Sequence, residues 1–199
     1  MASKNERSAR KGKATEQLIA ASCVLATGAE LNALTALVDD EGVDVSFKRR
    51  NGGRTIDVQV KARFSDEDGS KALRDKGTFV SDVREETFEP RDDLYMLYVA
   101  VNGAAAEIEV AWLVPSHDLA SGAFSVNVKG KQRIRFQASA KDTSEDKWTP
   151  YRMTREDLPQ QILALLEQVE PTVPDDDELA DDDLDEGEDN PPEQLADAS

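Results

Sequence analysis

Between residues 42 and 63 apolar and polar positions alternate on both sides of an Asn-Gly pair, in GVDVSFKRRNGGRTIDVQVKAR. The alternation predicts a β-hairpin, because successive side chains of a strand point to opposite faces. Asn-Gly favours a type I′ turn, which needs positive φ at both central residues. With Asn51 and Gly52 there, Val43 faces Val60, Val45 faces Val58 and Phe47 faces Ile56, so one face is wholly apolar. The other face collects Asp44, Ser46, Lys48, Asp57, Gln59 and Lys61. A Gly52-Gly53 turn would shift the register and set Asp44 opposite Lys61, leaving the division of faces unchanged.

Elsewhere the pattern changes period. TEQLIAASCVLAT, residues 15 to 27, carries apolar residues at helical spacing and meets a stop at Gly28. Residues 31 to 38 form a short strand or an extended arm, and residues 64 to 78 read as a polar loop. TFVSDV reads as a strand, and DLYMLYVAVN (93 to 102) as a buried central strand with AEIEVAWLVP (106 to 115) as its neighbour. SHDLAS makes one helical turn, and QRIRFQAS (132 to 139) is an edge strand. DLPQQILALLEQVE (157 to 170) is a closing helix with Asp157 as N-cap and Gln160 placed for a capping box. Trp148 is expected to cover that helix. The expected fold is α/β or α+β, a mixed β-sheet flanked by helices.

Charge divides the chain further. The formal net charge is -17, but 13 of the 41 acidic residues lie between Pro171 and Ser199, where there is no Lys or Arg. The remaining 28 acidic residues nearly balance all 24 basic ones. Residues 171–199 are expected to be a disordered acidic tail, and residues 1–13, with five Lys or Arg and one Glu, a disordered basic leader. The domain between them is assigned to 14–170. No apolar run approaches a membrane span, and the leader has no signal-peptide core. The single cysteine, Cys23, excludes an internal disulfide and fits a reducing, cytoplasmic setting. With one His and one Cys, a zinc site is disfavoured, so a metal would need oxygen ligands, as Mg2+ or Mn2+ do.

The polar face of the hairpin is either an ordinary solvated surface or such a site. Asp44 offers a carboxylate, Gln59 an amide oxygen and Val60 a backbone carbonyl. Lys61 offers an ammonium to orient water and offset charge on phosphorus. Glu16, in the first turn of its expected helix, complements the helix dipole. Asp57 shares this face or pairs with Lys48 or Arg54. His117 has no triad around it, and Lys48, Arg49, Arg50, Arg54, Arg63, Lys129, Lys131, Arg133 and Arg135 are solvated or contact phosphate.

Gly42-Val43-Asp44, a hairpin and Gln59-Val60-Lys61 resemble the PD-(D/E)XK (restriction-endonuclease-like) nuclease superfamily. The match is to the branch with Q-x-K in its second half, as in Mrr-like restriction endonucleases. Glu16 on the preceding helix is similar to the glutamate of archaeal Holliday-junction resolvases, and the later strand order resembles small bacterial domains of the superfamily. The resemblance implies a Mg2+- or Mn2+-dependent endonuclease acting on DNA. Asp44, Gln59, Val60 and Glu16 would surround the metal, and Asp44, Gln59, Lys61 and Glu16 would form the catalytic set. Gln59 departs from the usual carboxylate and removes one negative ligand. The alternative is an inactive binding module of the same fold whose acidic tail recruits a basic protein or mimics nucleic acid. Homodimerisation stays open.

Overall fold

In the computed structural model, residues 3–35 and 42–167 are described. A 23-residue helix, α1 (Lys4–Ala26), opens the fold. The Ser3 hydroxyl accepts the Glu6 N–H while the Glu6 carboxylate accepts the Ser3 N–H, a capping box that starts the helix ahead of its apolar stripe. Residues 4–13 are therefore helical rather than a disordered leader. Lys, Arg, Glu and Ala are good helix formers, and they extend a helix already anchored at Ile19 and Cys23.

Next come β1 (Leu31–Thr35), β2 (Val45–Arg49), β3 (Thr55–Phe64), β5 (Leu94–Asn102), β6 (Glu107–Pro115) and β9 (Arg152–Met153), which form one sheet in the order β1-β2-β3-β5-β6-β9. The β3–β5 pairing is parallel and every other one antiparallel, giving the mixed sheet expected. Residues 36–41, which include the end of the 31–38 segment, lie outside the described residues. Residues 64 to 78 are not all loop: α2 (Lys71–Lys76) forms there and stops at Gly77, whose φ of 65° is left-handed.

A second, three-stranded antiparallel sheet, β4-β8-β7, covers part of the first. It consists of β4 (Thr78–Arg84), β7 (Phe124–Val128) and β8 (Lys131–Ser139). The 132–139 strand is thus central in this sheet instead of an edge, because β7 shields its free side. α3 (Ser116–Gly122) lies between β6 and β7.

α4 (Asp157–Glu167) closes the described chain; residues 168–170 of the expected helix and the 171–199 tail lie outside it. Its cap is Thr154, not Asp157. The Thr154 hydroxyl accepts the Asp157 N–H at 3.2 Å and donates to Asp157 Oδ2 at 2.7 Å, and Gln160 takes no part. No helix among the described residues is long and apolar enough to cross a membrane.

The large sheet separates two cores. On one face Ile19 and Cys23 of α1 and Ile162 and Leu166 of α4 pack on Val45, Val58, Val60 and Leu97. On the other, Met96, Tyr98 and Trp112 meet Phe79, Phe136 and Trp148. Trp148 therefore lies across the sheet from the closing helix it was expected to cover. Cys23 is buried, and burial pushes its thiol up to about 12. In the native protein it is expected to resist a thiol-specific reagent at mildly alkaline pH and to react only on unfolding. Thiol titration with and without denaturant checks this, and rapid native labelling would contradict it.

Candidate active site

β3 presents two chemically distinct faces. Ile56, Val58 and Val60 turn toward the helices, and Asp57, Gln59 and Lys61 toward the opposite side. The ladder sets Val45 opposite Val58, Ser46 opposite Asp57, Phe47 opposite Ile56 and Lys48 opposite Thr55, the register expected from the hydrophobic pairs. The turn is not type I′. Neither Asn51 nor Gly52 has positive φ, and the Gly52 N–H donates to the Arg49 carbonyl at 3.1 Å.

The ladder ends at Asp44. Its N–H donates to the Val58 carbonyl at 2.9 Å, and its Oδ2 accepts the Val60 N–H at 2.7 Å. A side-chain oxygen thus replaces the next backbone rung and fixes the carboxylate beside Val60. In an antiparallel pair a residue's N–H and C=O face the same neighbour, so the Val60 carbonyl is on the Asp44 side as well.

Gly42 allows the approach. Its φ is 72°, and a Cβ there would stand 2.5 Å from Gln59 Nε2. Gly42→Ala is expected to destabilise the protein by about 1–2 kcal/mol through the left-handed backbone, with the Gln59 amide displaced in addition. Urea unfolding measures the loss, and an unchanged midpoint would contradict the contact.

Gly42 and Gln59 and Lys61 of β3 line a groove of about 780 Å³, Arg84 of β4 and Arg133 of β8 line it from the small sheet, and Arg91 also borders it. Asp57 is engaged elsewhere than expected. Its Oδ1 accepts from Ser46 Oγ at 2.6 Å and its Oδ2 from Arg91 Nη2 at 2.7 Å, so Lys48 and Arg54 are not its partners. Glu16 rides on α1, the helical side of the sheet, with Lys13 Nζ 2.9 Å from its Oε2. The structure therefore gathers Asp44, Gln59, Val60 and Lys61, while Glu16 belongs to the layer across the sheet. His117 is exposed and faces Asp92 at 3.2 Å.

Beside the groove, Arg135 donates to both oxygens of Asp82, at 2.7 and 2.9 Å. That hydrogen bonding holds the Asp82 carboxyl below the usual carboxylate range and raises Arg135. Tyr98, beside Lys61 on the parallel strand, has its phenol pushed up by burial. Among the described residues no group of three or more His, Cys, Asp or Glu is arranged to hold a metal ion. The donors gathered here are one carboxylate, one amide and one carbonyl, all oxygen, and they suit a hard cation. Arg84 and Arg91 escaped the sequence reading. Their only signal was the polar position of Arg84 in the alternating TFVSDVR.

Among solved structures the chain is similar to a bacterial homing endonuclease, I-Ssp6803I, at 20% sequence identity. The likeness covers 85% of this chain and 100% of that one, with a TM-score of 0.47. No family model matches the chain, and no curated protein matches it.

Proposed function

We propose that the protein is a metal-dependent nuclease of the PD-(D/E)XK type that hydrolyses DNA phosphodiester bonds. The observation that carries this reading is the convergence of Asp44, Gln59 and Lys61 at Gly42, beside a groove bordered by arginines. Asp44, Gln59 and the Val60 carbonyl would hold Mg2+ or Mn2+. When bound, that ion supplies Lewis-acid polarisation of the phosphate. Lys61 orients the attacking water, takes part in its deprotonation and offsets negative charge as it builds on phosphorus. Gly42 lets the Gln59 amide stand against the backbone beside Asp44.

The test is incubation of the full chain with supercoiled, linear and single-stranded DNA, with and without magnesium or manganese. Cutting that needs the metal is expected; no cutting of any substrate with either metal overturns the assignment.

A second reading is an inactive member that only binds, its acidic 171–199 segment recruiting a basic protein. It draws on the neutral Gln59 and on the Asp44 oxygen already committed to Val60. DNA binding without cleavage would select it.

A further inference from the structure

We infer that Arg84 and Arg133 form a phosphate-binding subsite that grips the nucleic-acid backbone presented to Lys61. The inference rests on the nuclease reading and adds where the strand is held. β4 and β8 run antiparallel with Arg84 directly opposite Arg133. Side chains so placed are within about 5 Å at Cβ, and like charges there destabilise the sheet. The rung two residues away shows the ordinary solution, Asp82 bound by Arg135 at 2.7 and 2.9 Å. The Arg84–Arg133 rung has no such resolution. Neither guanidinium makes an ion pair or hydrogen bond among the described residues, although Asp82 feels the charge of Arg133.

Two guanidinium groups on one rung match the oxygens of a phosphodiester, which each can meet with paired N–H donors. Their place selects the ligand. Both border the groove that Gln59 and Lys61 line, so an anion bridging them lies next to the proposed reacting face. Arg91 is unsuited to this task, since its guanidinium is held by Asp57 and Asp93. Glu86 and Glu89 border the same groove, which confines the anion to the arginine rung instead of spreading it along the wall.

The test compares the full chain with its Arg84→Gln/Arg133→Gln double variant, binding a labelled DNA duplex in the presence of a chelator over a range of salt. Anisotropy gives the affinity and its salt slope without turnover. Loss of two phosphate contacts is expected to lower the slope of log Kd against log salt by about two. At about 0.1 M salt it should weaken binding by roughly ten- to a hundredfold. Melting temperature should hold or rise, because a like-charge rung has been removed. If wild type binds and cuts DNA and the double variant keeps both affinity and slope, the subsite is overturned and the nuclease reading stands. If wild type binds no DNA at any salt, both are overturned. Tighter binding by the double variant would assign the pair to the chain's own acidic 171–199 segment and overturn the subsite.

Discussion

The protein carrying Lys61→Ala is expected to lose at least about a hundredfold in its rate of magnesium-dependent DNA cleavage, with its melting temperature nearly unchanged. The backbone of Lys61 is held in the ladder opposite Tyr98, so truncating the side chain leaves β3 in place. Substitution at a half-exposed polar position away from the core costs about 0.5 kcal/mol or less. The loss therefore reports chemistry and not folding.

Two companion variants separate the roles on this face. Asp44→Asn keeps an oxygen to accept the Val60 N–H, so the end of β2 survives while the charge that would hold the metal is gone. Alanine there would remove both and confuse the outcome. Gln59→Glu supplies the missing carboxylate, and its titration with manganese should show tighter binding than wild type. Wild-type rates from Lys61→Ala would remove the basis for reading the polar face as an active site.

The parts of this site that were legible in the sequence are those fixed by hydrophobic pairing. Val45 with Val58 and Phe47 with Ile56 permit only one division of faces, and Asp44, Gln59 and Lys61 follow from it. The turn between the strands was not legible, since the Asn-Gly preference is weak beside tertiary contacts. The Arg50 N–H donates to the Glu30 carbonyl at 2.8 Å, and Arg49 pairs with Glu167 at 3.1 Å, so the turn answers to β1 and α4. The left-handed pair occurs instead at Lys129 and Gly130, with φ of 54° and 80°, between β7 and β8.

That second hairpin escaped because FSVNV is short and largely exposed, and its sheet depends on β4 joining β8 from some fifty residues away. Local periodicity cannot see such a pairing. The same distance hid Arg84 as the cross-strand partner of Arg133. For Glu16, helical spacing placed it correctly on α1, but only the packing of Ile19 and Cys23 decided which face of the sheet α1 would cover.

Phe136→Ala is expected to destabilise the protein by about 3–5 kcal/mol, the largest effect of any single truncation considered. Phe136 is fully buried and joins the small sheet to the large one. It stacks on Tyr98 at 3.8 Å between ring centroids and meets Phe79, Trp112 and Trp148 at 5.0 to 6.0 Å. Few polar contacts share this load. Among the described residues Tyr98 Oη and Trp112 Nε1 are buried with no hydrogen-bond partner, so packing and aromatic geometry hold the two sheets here. Phe136→Leu keeps most of the volume and should cost far less, about 1.5 kcal/mol. Urea unfolding of the three proteins checks the order. The arginine rung is carried by β4 and β8, the strands that Phe136 anchors, so partial loosening should weaken DNA binding before the helical core at Ile19 and Ile162 melts. A cost below about 1 kcal/mol for the alanine variant would mean that the small sheet is not fastened through this ring, and that the groove's second wall is held by other contacts.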